Sequence, residues 1–176
     1  MTAFVQAKMK LDQKINLNFI CTHNSRRSHM AQIWAQAAAY LFDIKNVQCF
    51  SGGTEATAFN ERAVTAMQRV GFQIVKTTDG NNPQYEVKLS SGAPSILSFS
   101  KKYDHPSNPL KDFAAIMTCS LADENCPLVL GASARIAITY DDPKDFDDTT
   151  HEAGKYEESA LQIGREMLFA FSRIKF

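Results

Sequence analysis

The 176-residue chain carries 19 acidic and 19 basic residues, so its formal net charge at neutral pH is zero. That balance excludes the basic footprint expected of a protein that binds nucleic acid or an anionic membrane. The length suits one domain, 1–176, around a single core, and four cysteines are too few for a disulfide scaffold.

Met1 to Lys14 lacks the long apolar stretch of a secretory signal, and no run approaches transmembrane length. A cytoplasmic protein with reduced thiols is the expectation. Ile15, Leu17, Phe19 and Ile20 then read as a buried strand. It feeds Cys21-Thr22-His23-Asn24-Ser25-Arg26-Arg27-Ser28, after which Met30, Ile33, Trp34, Ala37 and Leu41 recur at helical spacing. A strand running through a short loop into a helix aims backbone N–H groups and the helix dipole at one point, a ready site for an oxyanion. A cysteine at the start of that loop would have its thiolate stabilised by the same field. Arg27, six residues on, can curl back and hold two oxygens of a tetrahedral anion as a planar fork.

Val47 to Ser51 reads as a second strand, closed by Gly52-Gly53. Asn60 can cap a helix whose apolar face is Ala63, Val64, Met67 and Val70, with Gly71 as its stop. Tyr85, Val87 and Leu89, then Ile96, Leu97 and Phe99, flank Ser91-Gly92-Ala93-Pro94 and read as a β-hairpin. This hairpin and the polar loop after it, about 77–111, interrupt the alternation of strand and helix and read as an insertion peripheral to the core. Phe113 to Thr118 suits a buried central strand, and Ala134, Ile136 and Ile138 suggest another ending at Tyr140. A last helix is expected from about Tyr156, with Leu161, Ile163, Gly164, Met167, Phe171 and Ile174 on its buried face. The alternation implies an α/β fold with a parallel sheet and helices on both faces. Ligands of such sheets sit beyond the strands' carboxyl ends, where Cys21, Ser51, Cys119 and Asp142 all fall.

Two further pieces carry chemistry. Asp142, followed by Pro143, could protonate a leaving oxygen, although an Asp-Asp-Pro alone is most simply a turn. Cys119 and Cys126 are separated by a polar loop and could join only if that loop moves or folds back. As a pair they could pass an oxidation outward by thiol–disulfide exchange; as unrelated thiols they would do nothing of the kind. Their spacing is poor for zinc, and His23, His29, His105 and His151 are scattered. With no glycine-rich dinucleotide fingerprint either, no metal or cofactor is expected. Cys49 reads as a small core residue, His29 as a polar-face residue, and Asp145, Asp147 and Asp148 as a solvated loop.

These residues together resemble the low-molecular-weight protein tyrosine phosphatase superfamily, and within it the thioredoxin-coupled arsenate reductases. Cys21 and Arg27-Ser28 match a Cys-x5-Arg-Ser oxyanion loop spanning Thr22, His23, Asn24, Ser25, Arg26, Arg27 and Ser28, with Asn24 at the loop-ordering asparagine. Asp142 matches the general acid. Cys119 to Pro127 looks like the reductases' redox segment, including Ala122-Asp123 and Asn125-Cys126-Pro127. Family loops usually carry glycine where this chain has His23, and commonly cysteine where it has Arg26. The resemblance implies a three-layer fold with a four-stranded parallel sheet. It also implies arsenate reduction by Cys21, Cys119 and Cys126, renewed by a thioredoxin-like reductant. The alternatives are hydrolysis of phosphotyrosine or small phosphoesters by Cys21, Arg27 and Asp142 alone, and a non-catalytic oxyanion sensor.

Overall fold

Along the chain of a computed structural model, which describes residues 1–126 and 128–175, the order is α1 (Thr2–Lys10), β1 (Ile15–Cys21), α2 (Arg27–Leu41), β2 (Val47–Gly53), α3 (Glu61–Arg69), β3 (Gln73–Lys76), β4 (Tyr85–Lys88), β5 (Ile96–Ser98), β6 (Phe113–Met117), α4 (Ser120–Asn125), β7 (Ala132–Ala137) and α5 (Glu152–Ser172). A parallel sheet runs β2-β1-β6-β7, with Cys21 in register with Gly53 and Ile20 with Met117. Strand pleating sends successive side chains to opposite faces. Leu17, Phe19, Ala114 and Ile116 accordingly pack with Met30, Ile33, Met67, Ile163 and Phe171 from α2, α3 and α5. Burial of each large side chain there stabilises the fold by about 2 kcal/mol. Phe113, Ala115 and Met117 face the other way, into a smaller cluster with Cys21, Cys119, Ala122, Cys126 and Val129.

Helix α3 is capped as its sequence foretells: Asn60 Oδ1 accepts from the Arg62 N–H at 2.9 Å, and Gly71 follows in the left-handed region. Other boundaries differ. Helix α5 starts at Glu152, a turn before Tyr156, and α1 and β3 were not foreseen. Both α1 and β3 are short; α1 buries only Val5 fully, and β3 only Ile74, so neither writes a clear period into the sequence.

The expected hairpin is present as β4 and β5, but β3 joins it in a separate antiparallel sheet ordered β3-β4-β5. It is not peripheral. Tyr85 and Val87, on the inward face of β4, lie in the main core, and the Tyr85 ring meets Phe59 edge-on at 5.5 Å. Downstream, Ser98, Ser100, Lys101 and Asn108 are buried as well. The alternation of β4 has one apolar face, and that face has only the core to be buried against.

Candidate active site

At the carboxyl end of β1 the chain leaves the sheet through residues 22–26 and enters α2 at Arg27. Asn24 adopts φ +45°, a left-handed conformation that asparagine tolerates and that turns the loop back on itself. His23 lies outside the left-handed region, so the glycine usual there is not needed here. Asn24 also fastens the loop. Its Nδ2 donates to Ser28 Oγ at 2.9 Å, and its Oδ1 accepts from the Lys101 N–H at 2.8 Å. Ser28 Oγ lies 3.1 Å from Cys21 Sγ, and with one lone pair taken by Asn24 its hydroxyl hydrogen can point at the sulfur.

Chain from the segment read as an insertion braces the loop from outside. The Ser100 hydroxyl donates to the His23 carbonyl at 3.0 Å and the Gly53 N–H donates to the Lys101 carbonyl at 2.9 Å, while Thr57, from outside that segment, donates to the same His23 carbonyl at 3.2 Å. A Cβ on Gly53 would stand 2.7 Å from the Asn24 nitrogen and the Thr22 carbonyl oxygen, so only glycine lets β2 pass this close. The pair Gly52-Gly53, read as a strand stop, is instead the end of β2 under the loop. A glycine pair at a strand end is a known mark of close backbone approach.

Arg27 reaches from the first turn of α2 to the segment that follows β7. Its two terminal nitrogens donate to the Tyr140 carbonyl at 2.9 Å and to Asp142 Oδ2 at 2.7 Å. Arg26 lies 3.6 Å from Asp142 Oδ1, and the Lys144 N–H donates to that same oxygen at 3.1 Å. Asp142 is thus held by two guanidinium groups and caps the 3-10 turn Pro143–Phe146. Arg26 also donates to Tyr156 at 3.0 Å, and Tyr156 donates to Asp147 at 2.7 Å. Burial and that bond to Asp147 push the Tyr156 phenol up to about 12. Arg62 pairs with Asp147, Asp148 and Glu152 and so brackets α3 to α5, while Asp145 and Asp148 stay exposed as the solvated-loop reading expects. Tyr156, read from sequence only as a helix start, links the loop after Cys21 to the segment that follows Asp142.

Cys119 belongs to this rim. Its Sγ lies 3.5 Å from Thr22 Oγ1 and accepts from the Ala122 N–H at 3.4 Å, so that it caps α4. The expected polar loop from 119 to 126 is therefore a helix with a thiol at each end. A helix rises ~1.5 Å per residue, which separates the two cysteines by about 10 Å, whereas a disulfide needs Cα atoms within about 7 Å. Cys126, whose Sγ donates to the Leu128 carbonyl at 3.6 Å, stands at the opposite end of α4 from Cys119. Pro127, which completes the stretch matched to the redox segment, lies outside the described residues.

One expected neighbour is elsewhere. Ser51 points away from the rim to His29, 3.2 Å from its Nδ1, and His29 is fully buried and stacked on Phe59 at 4.1 Å. Burial, with the charge of Lys101, drives the His29 imidazole well below its usual range, so it is neutral. Cys49 is buried in β2, where desolvation pushes its thiol far up and makes it unreactive. Lys101 is held with its ammonium 3.3 Å from the Phe99 carbonyl and over the Phe99 ring at 4.6 Å; burial lowers it to about 8. Among the described residues, no group of three or more His, Cys, Asp or Glu could hold a metal ion, and no helix is long and apolar enough to cross a membrane.

No family model matches the chain. Among curated proteins it is similar to arsenate reductase 2 of Staphylococcus epidermidis, with 33% identity over 133 residues that span 76% of this chain and 81% of that one. Among solved structures, the low-molecular-weight phosphotyrosine phosphatase of Vibrio cholerae superposes with a TM-score of 0.58 at 16% identity, covering 90% of this chain and 94% of that one. An arsenate reductase from Archaeoglobus fulgidus superposes equally well, at 0.58 and 19% identity, over 89% and 99% of the two chains.

Proposed function

Because this chain belongs to the arsenate reductase family, built on the low-molecular-weight phosphatase fold, we propose that it reduces arsenate to arsenite with three of its own thiols. The observation that carries this reading is the place of Cys119, whose sulfur sits 3.5 Å from Thr22 in the loop that Cys21 opens. Hydrolysis of a phosphoester needs one thiol; a second beside the loop serves electron transfer.

In this reading Cys21 thiolate attacks arsenic while Arg27 and the loop amides hold the remaining oxygens, and Asp142 protonates the oxygen that departs as water. Arg27 must then exchange its bond to Asp142 for bonds to the anion. Cys119 thiolate next attacks Cys21 Sγ. The sulfur–arsenic bond breaks with its electron pair going to arsenic, which leaves as arsenite, and a Cys21–Cys119 disulfide remains. Cys126 thiolate attacks Cys119 Sγ as α4 unwinds, releasing Cys21 as thiolate and forming Cys119–Cys126. A thioredoxin-like dithiol restores that pair by supplying two electrons.

The test is arsenate consumption by the purified protein with thioredoxin, thioredoxin reductase and NADPH, beside hydrolysis of an aryl phosphate. Cys119→Ser and Cys126→Ser should each abolish the first activity and spare most of the second. After one turnover, mass spectrometry should find Cys119–Cys126 in the native protein and Cys21–Cys119 in Cys126→Ser. A protein that hydrolyses the aryl phosphate but never oxidises with arsenate is a phosphatase, and the reductase reading fails.

A further inference from the structure

Tyr103 lies in the loop between β5 and β6, and its backbone is pinned to the central sheet at every polar atom. Its N–H donates to the Gly53 carbonyl at 2.9 Å, and its carbonyl accepts from Asn18 at 3.1 Å and Asn108 at 3.3 Å. The approach is so close that a Cβ on Gly52 would stand 2.4 Å from Tyr103 Cα. From this fixed point the side chain packs against the small cluster that holds Cys21, Cys119 and Cys126. Burial pushes the phenol up, and the Cys126 sulfur beside it adds to the effect. The segment opposite is held more lightly. Helix α4 has six residues, too few to be stable alone, and Arg135 of β7 ties it down by donating to the Asp123 and Cys126 carbonyls and pairing with Asp123 at 2.7 Å.

The two relay thiols therefore start from unequal positions. Cys119 already meets the loop of the nucleophile, while Cys126 is kept at the far end of α4, its Sγ donating to the Leu128 carbonyl, within the small cluster that the Tyr103 side chain packs against. We infer that Tyr103 is a positioning residue for Cys126: its ring seats the thiol in the core until α4 unwinds, so that Cys126 enters the relay only after Cys119. The inference rests on the three-thiol reading for its purpose, but the seating itself exists in the reduced protein and is measured there.

The experiment is timed alkylation of the reduced full-length protein with N-ethylmaleimide, with each cysteine followed by peptide mass spectrometry. Tyr103→Ala should raise the Cys126 rate about tenfold relative to Cys49, and Tyr103→Phe, which keeps the ring, should stay within about threefold of the native protein. Unchanged Cys126 labelling in Tyr103→Ala overturns the inference, as does equal labelling in the Phe and Ala variants. Cys49 labelling that rises in step with Cys126 also overturns it, because Tyr103 would then hold the fold and not the thiol. If arsenate is never reduced but the labelling contrast holds, the reductase reading fails and the seating stands.

Discussion

Lys101 offers a stability experiment whose sign can be worked out in advance. Its ammonium is buried, with the Phe99 carbonyl and ring as company, and burial lowers it from 10.5 to about 8. That fall is a penalty of about 3 kcal/mol on the charged form in the folded protein. Below about pH 8 both states hold the proton and the fold bears the whole penalty. Between about 8 and 10.5 the folded protein releases the proton while the unfolded chain keeps it, so stability rises with pH across that window. Lys101→Met removes the charge and its penalty, but it also leaves the Phe99 carbonyl without its donor, a loss of about 1–3 kcal/mol. At pH 7 the two effects nearly offset each other and the variant is equal to or slightly more stable than the native protein. By pH 10.5 the native protein should be the more stable, the difference having moved by about 3 kcal/mol. Urea unfolding of both proteins at intervals from pH 7 to 10.5 reads this directly, and other titrating groups cancel in the difference. A native-minus-variant difference that stays flat across the range would refute the reasoning.

Asp142→Asn should slow hydrolysis of aryl phosphates with poor leaving groups about a hundredfold and those with good ones much less, whereas Asp141→Asn should show no such selectivity. Equal losses for both substrates would remove Asp142 from the role of acid. Arg27→Lys keeps the charge but cannot reproduce the fork that now spans Tyr140 and Asp142, and kcat/KM should fall at least about a hundredfold. Gly53→Ala places a methyl group against the Glu55, Asn24 and Thr22 backbones and should cost about 3 kcal/mol in urea unfolding. Destabilisation well under about 1 kcal/mol would mean that the loop yields more easily than its contacts imply.

Much of the site is legible because its chemistry is local. Cys21, Asn24, Arg27 and Ser28 lie within eight residues between a strand and a helix, and both elements announce themselves by their apolar pattern. What braces that loop is distant in sequence: Asn24 meets Lys101, His23 meets Ser100, and Arg26 meets Tyr156. None of these contacts leaves a period or a motif. Serine hydroxyls and lysine N–H groups can bond to any exposed carbonyl, and only the fold selects which. The segment from 119 to 126 was misread as loop for a related reason. It is polar, it contains Asn125 and Asp123, and its single fully buried helical residue is Ala122, so no apolar stripe marks it.

Helix α4 has one more consequence. In the relay proposed above, the same six residues are coiled when the thiols are reduced and uncoiled when Cys119 and Cys126 are joined. Leu121 is already exposed on this helix, with Leu128 and Leu130 exposed just beyond it. Oxidation is then written on the surface as a change of relief, and the two forms of the enzyme present different outlines at one spot. An electron donor that recognises the uncoiled outline spends no encounters on molecules already repaired, and it lets go once the helix rewinds.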